Sequence, residues 1–137
     1  MKGSVEDRLE IRELVERYAS SAIQTDVEKW SQVWAEDGSF QLSSMKEPVH
    51  GKETIVATFA KALEYVDYLS LMCFPAELEF DGDTARGSVF THEVVHPKTG
   101  GSITVVGQFH DEYVRQSGRW LLQSRRYEAL GKDIKSH

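Results

Sequence analysis

The chain is poor in cysteine and in long apolar runs, and its positive charges are outnumbered by its negative ones. Its single cysteine, Cys73, cannot form an intramolecular disulfide, which points to a reducing compartment. No apolar stretch approaches the ~20 residues that a membrane span needs. The opening residues Met1 to Asp7 hold no apolar core of the kind a secretory signal carries. Sixteen Lys and Arg against twenty-two Asp and Glu give a net charge of -6, which disfavours a nucleic-acid or anionic-membrane partner. Internal repeats, low-complexity tracts and linkers are also missing. Gly100-Gly101 lacks the strand-to-helix setting of a phosphate-binding loop. The expectation is one cytoplasmic domain over residues 1–137, of ordinary composition for a globular protein.

What is present is strongest in the last third. Residues 76–80, 84–96, 102–113 and 119–130 read as four strands separated by turns too short for helices. They are therefore antiparallel neighbours in a meander. Ahead of them, Ser4 can cap a helix whose apolar positions Ile11, Leu14, Val15, Tyr18 and Ala22 recur at three-and-four spacing. Asp26 reads as the cap of a second, shorter helix carrying Trp30, Val33 and Trp34 and ending at Gly38. Residues 39–42 alternate as a short strand, and 43–50 form a loop. A third helix opens at Gly51, with Ile55, Val56, Phe59, Leu63 and Val66 on one side. Residues 68–74 are extended before Pro75, which marks an edge or a bend. The order predicts an α+β domain with three N-terminal helices packed on a strongly curved, mainly antiparallel sheet.

Helices on one face of a curved sheet leave a conical interior, a natural site for a small hydrophobic molecule. Tyr18, Trp34, Phe40, Phe59, Met72 and Phe109 are candidate lining residues; each serves equally as plain core.

Several segments together resemble the SnoaL-like branch of the nuclear-transport-factor-two-like superfamily. They are residues 11–18 (IRELVERY), 26–38 (DVEKWSQVWAEDG), 51–55 (GKETI), 107–113 (GQFHDEY) and 118–120 (GRW). The resemblance spans about residue 5 to residue 130. It implies a conical α+β barrel, a deep apolar pocket, and a homodimer or homotrimer built on the sheet. Enzymes of the family include dehydratases, a dehydrochlorinase, ketosteroid isomerases, polyketide cyclases and epoxide hydrolases; other members only bind. Fold alone settles no activity.

The dehydratase-like members pair an Asp after the first helix with a His at the start of the strand before the meander. Here those positions fall on Ile23 or Gln24 and among Leu71, Met72 and Cys73, so the pair is missing. The isomerase base position falls on Leu42. Asp26 stays open between helix cap and pocket base.

His92-Glu-Val-Val-His96 matches the H-E-x-x-H zinc pattern, which works because a helix brings residues i and i+4 together. The surrounding residues read as strand, where the two histidines stand about 13 Å apart and Glu93 points the other way. No metal and no cofactor are expected.

The alternation instead puts Val89, Thr91, Glu93 and Val95 on one face. Comparison with the dehydrochlorinase branch makes that face the pocket side, with Val105, Gly107, Phe109 and Arg126 beside it. Two readings of Glu93 and Arg126 follow. Either Glu93 is a general base with Arg126 polarising a carbonyl or carboxylate, or the two are a structural pair or a solvated rim. Tyr18 can hydrogen-bond a ligand or be satisfied locally. Cys73 lacks a neighbouring base and reads as a small core residue. The function expected is a cofactor-independent lyase or isomerase acting on a hydrophobic cyclic substrate. A binding module, or an oligomerisation domain with a filled cone, is the alternative.

Overall fold

The computed structural model describes residues 3–136; Met1, Lys2 and His137 lie outside it, the first two within the stretch read above for a signal. Helix α1 spans Val5–Ile23, and the Ser4 side chain accepts a hydrogen bond from the Asp7 backbone N–H at 3.0 Å. Its apolar stripe is buried as its spacing dictates, Ile11 to Ala22 facing inward. Helix α2 is only Val27–Ser31, and α3 is Lys52–Leu63. No helix among the described residues is long and apolar enough to cross a membrane.

Six strands, β1 Trp34–Gln41, β2 Val49–His50, β3 Val66–Asp81, β4 Thr84–Pro97, β5 Ser102–Gln116 and β6 Arg119–Lys135, form one sheet in the order β2-β1-β6-β5-β4-β3. All neighbours are antiparallel except β1 and β6, which run parallel. The sheet is curved but not closed: β2 and β3 are free edges, and the helices complete the cone.

Three expectations shift. The second helix stops at Ser31 rather than Gly38, and strand β1 starts at Trp34, because Trp34 and Ala35 are buried beside β6. The Leu122 N–H bonds to the Val33 carbonyl at 2.8 Å, tying that junction to the sheet. Within the expected loop, Val49 and His50 pair with Phe40 and Ser39. Residues 68–74 and 76–80 join as one strand, β3, through Pro75, which marks an edge, the first of its two expected readings. The register of this edge strand slips between Pro75 and Leu78, so the missing N–H is tolerated.

Register in the β5–β6 hairpin decides what enters the cone. Ser117 and Gly118 both adopt positive φ, and this two-residue turn pairs Gln116 with Arg119. Carried on unbroken, that register would set Arg126 opposite Phe109. It is broken between the pairs Tyr113–Leu122 and Glu112–Ser124, where Gln123 is an extra residue on β6. One inserted residue flips the side chains beyond it to the other face. Phe109 therefore faces Tyr127, Asp111 faces Arg125, and Arg126 faces His110 on the outer side.

Under α1 and α2 the core is aromatic. Trp30 stacks on Phe59 with centroids 4.0 Å apart, and Trp34 meets Phe40 edge-on at 5.4 Å. At the far end Asp7 fastens α1 to the hairpin, accepting from Trp120 Nε1 and Arg115 Nη1, each at 3.0 Å. Glu10 accepts from the Trp120 backbone N–H at 2.7 Å.

Candidate functional site

Between α1, α3 and the inner face of the sheet lies a cavity of about 260 Å³. Its walls are mostly apolar: Ala22, Phe40, Phe59, Leu63, Leu71 and Phe109 among them. The polar groups that reach it are few. Glu93 and Thr91 come from β4, Tyr127 from β6, Tyr18 from α1 and Thr58 from α3. A larger depression of about 930 Å³ lies on the outer side of the sheet, lined by Arg86, His110 and Arg126, and is broadly open to solvent. Only the smaller one can exclude water from a reacting group.

Glu93 is the single carboxylate on the cavity wall, half-buried and without an ion pair or hydrogen bond among the described residues. Burial holds its pKa above the ordinary carboxylate range. Thr91 Oγ1 and Tyr127 Oη are 3.0 Å apart, and burial raises the Tyr127 phenol as well. Tyr18 is raised further by burial, although the Arg125 charge opposes it.

Arg125 lies beneath this floor, fully buried. Its Nε donates to Asp111 Oδ1 at 2.8 Å and its Nη2 to Asp111 Oδ2 at 2.6 Å. Tyr113 donates its hydroxyl to Asp111 Oδ2, also at 2.6 Å. The guanidinium packs against both the Tyr18 and the Phe109 rings, 4.3 Å and 4.0 Å from their centroids, and the two rings themselves meet edge-on at 5.6 Å. Burial works against its charge, but the Asp111 carboxylate outweighs that and raises its pKa. This cation supports two cavity walls and is already neutralised.

Six of the residues singled out from sequence meet at the cavity: Tyr18, Phe40, Phe59, Thr91, Glu93 and Phe109. Others are placed elsewhere. Arg126 is exposed on the outer face, because the Gln123 bulge turns it away, so it cannot partner Glu93. Met72 is 62% exposed, since on β3 its neighbours Leu71 and Cys73 take the inner face. Asp26 is exposed and caps α2, its Oδ1 accepting from the Lys29 N–H at 3.0 Å. Trp34 is buried behind Phe40 as core rather than as cavity wall. Val105 shares the inner face opposite Glu93 but stands outside the cavity lining. Cys73 packs against the core beside the inner face, and burial pushes its thiol up to about 11, which makes it a poor nucleophile. His92 and His96 stand on strand β4, four residues apart in extended chain.

Tyr127 and Arg125 were not anticipated, yet a signal for them exists. Trp120 and Leu122 are even-numbered inward residues of β6, whereas the next large aromatic, Tyr127, is odd-numbered; such a change of parity needs a bulge between them.

The sequence pattern of the SnoaL-like domain matches residues 3–126. Among solved structures, a Novosphingobium aromaticivorans protein named for an aromatic ring hydroxylase is 24% identical with a TM-score of 0.89, covering 96% of this chain and 95% of its own. A second protein of that organism, named for scytalone dehydratase, is 13% identical at a TM-score of 0.87, covering 94% and 87%. A hexachlorocyclohexane dehydrochlorinase of type 2 is 15% identical at 0.86, covering 95% and 89%. Nothing among curated proteins matches. At these identities the structural likeness is one of fold.

Proposed function

The chain belongs to the SnoaL-like domain family, and from that membership we propose that it is a lyase or isomerase which removes a proton from a small hydrophobic cyclic substrate, with Glu93 as the base. The observation that carries this is one unpaired carboxyl, its pKa raised by burial, on the wall of an otherwise apolar cavity. A carboxylate stripped of water is a stronger base than one in solution, and it needs no further group to accept a proton from carbon. The volume of about 260 Å³ lies at the small end for ligand pockets and suits a molecule of one or two rings.

The chemistry closes without an oxidant or a co-substrate. Glu93 takes a proton from a carbon next to a carbonyl, and the C–H electron pair moves into a new double bond. In an elimination a neighbouring hydroxyl leaves and recovers that proton from Glu93, giving water. In an isomerisation the carboxyl returns the proton to another carbon. Relatives in fold named for a dehydratase and a dehydrochlorinase support the elimination branch. The test is deuterium exchange at the α-carbons of 2-tetralone in D2O, followed by NMR. Wild-type protein should accelerate exchange, and Glu93→Gln should lose about 10²–10⁴-fold of that rate.

A second reading, a binder without turnover, draws on the missing Asp–His pair and isomerase base: Leu42 at the isomerase base position and Leu71, one of the three residues at the histidine position, both line the cavity. Under it 2-tetralone binds and no exchange is accelerated.

The assembly proposed is a homo-oligomer through the outer sheet face. Met72 and Phe74 on β3 lie beside His92 and Phe90 on β4, and Met72, Phe74 and Phe90 are 62%, 71% and 41% exposed. Arg86, Arg126, Glu79 and Glu112 border the adjoining groove, so a second copy turned over this face meets opposite charges.

A further inference from the structure

Tyr127 reaches its position by crossing a neighbouring strand. Its ring packs against Phe109, directly opposite on β5, with centroids 4.9 Å apart. Its hydroxyl then passes over Gly107 on β5 to meet Thr91 on β4. Gly107 is the residue paired with Thr91, and a Cβ there would overlap the Tyr127 hydroxyl and ring. The passage exists because position 107 has no side chain.

The hydrogen count of this pair leaves something over. Each hydroxyl carries one proton and accepts up to two bonds. The bond between them uses one proton, so the other remains to be donated. Both residues line the cavity that holds Glu93, and its other walls are mostly apolar. A ligand oxygen is the group that would take up that proton there.

We infer that the Thr91–Tyr127 hydroxyl pair is the oxygen subsite of the cavity, binding a ring carbonyl or phenolic oxygen, with Gly107 as the positioning residue that admits it. This rests on the small-molecule reading above and deepens it by specifying the ligand: a neutral one- or two-ring molecule with an oxygen substituent on the ring. With Thr91 donating to Tyr127 and Tyr127 donating to that oxygen, negative charge developing on the oxygen during proton removal is met by a bond already in place.

The test compares 2-naphthol with naphthalene by equilibrium dialysis, the pair differing by one hydroxyl. Wild-type protein should bind 2-naphthol about fivefold more tightly than the hydrocarbon, the worth of one neutral hydrogen bond. Tyr127→Phe and Thr91→Val, each checked for a native circular dichroism spectrum, should reduce that ratio towards one while naphthalene binding stays within about twofold. Gly107→Ala should abolish the preference too, and Glu93→Gln should retain it. A ratio that survives both Tyr127→Phe and Thr91→Val, or one that collapses in Glu93→Gln alone, overturns the subsite and leaves the cavity reading intact. Failure of wild-type protein to bind either probe overturns both.

Discussion

Arg125 and Asp111 face each other across β5 and β6 as a bidentate ion pair with both side chains fully out of water, at 2.8 and 2.6 Å. A pair this deep costs a large desolvation, recovered only while both members are present. Replacing Asp111 alone strands a buried guanidinium against two aromatic rings with no counter-charge. Asp111→Ala should therefore cost about 3–5 kcal/mol in urea unfolding, and the double change Arg125→Met with Asp111→Leu should recover most of it. Equal loss in single and double variants would contradict this.

The bulge at Gln123 gives a second expectation. Deleting that residue makes Ser124 follow Leu122 directly, so Ser124, Arg125 and Tyr127 keep Glu112, Asp111 and Phe109 as partners in a register without a bulge. The deletion should therefore fold, with Arg125 and Tyr127 still inward and the Arg125–Asp111 pair intact, and melt within several degrees of wild type. A deletion that fails to fold would show that the bulge does more than set which residues face inward.

Acid stability should depend on Asp7. Its bond from the Trp120 indole, then those from Ser4 and from the Arg115 cation, outweigh desolvation and hold its pKa below the ordinary carboxylate value. A depressed folded pKa means stability present above the unfolded pKa of ~3.9 and lost as pH falls through the folded value. Asp7→Asn should lower the melting temperature at pH 6 and flatten its decline in acid.

Glu93 should behave with the opposite sign. Its folded pKa is raised, so the protein is favoured with the carboxyl protonated below the unfolded value of ~4.3, and that advantage is lost as pH rises through the folded pKa. Glu93→Gln should melt a few degrees higher than wild type at pH 8 and level with it at pH 4. A variant less stable at pH 8 would point to a structural partner for the carboxylate.

If the outer face joins copies of the chain, Phe74→Lys with Phe90→Lys should reduce the mass measured by light scattering to that of one chain. An unchanged multiple would place the contact elsewhere.

Much of this was legible in the sequence. The three-and-four spacing of α1 and α3 placed Tyr18 and Phe59 on inward faces, and the alternation of β4 put Thr91 and Glu93 on one face, which the family resemblance made the inner one. Register was less so. Residues 69–74 are almost continuously apolar, carrying no alternation from which to read that Met72 faces out and Leu71 in. Arg126 was assigned inward by comparison with the dehydrochlorinase branch, and the extra residue Gln123 turns it outward. Asp26 satisfied the rules for a cap, and a cap is its role in the fold.

The central claim is that Glu93 removes a proton inside the cavity, and the pH profile of 2-tetralone deuterium exchange tests it most directly. The account predicts a rate that rises with pH through a single ionisation above the ordinary glutamate pKa of ~4.3 and that is lost in Glu93→Gln. Equal rates for the two proteins at every pH would contradict it.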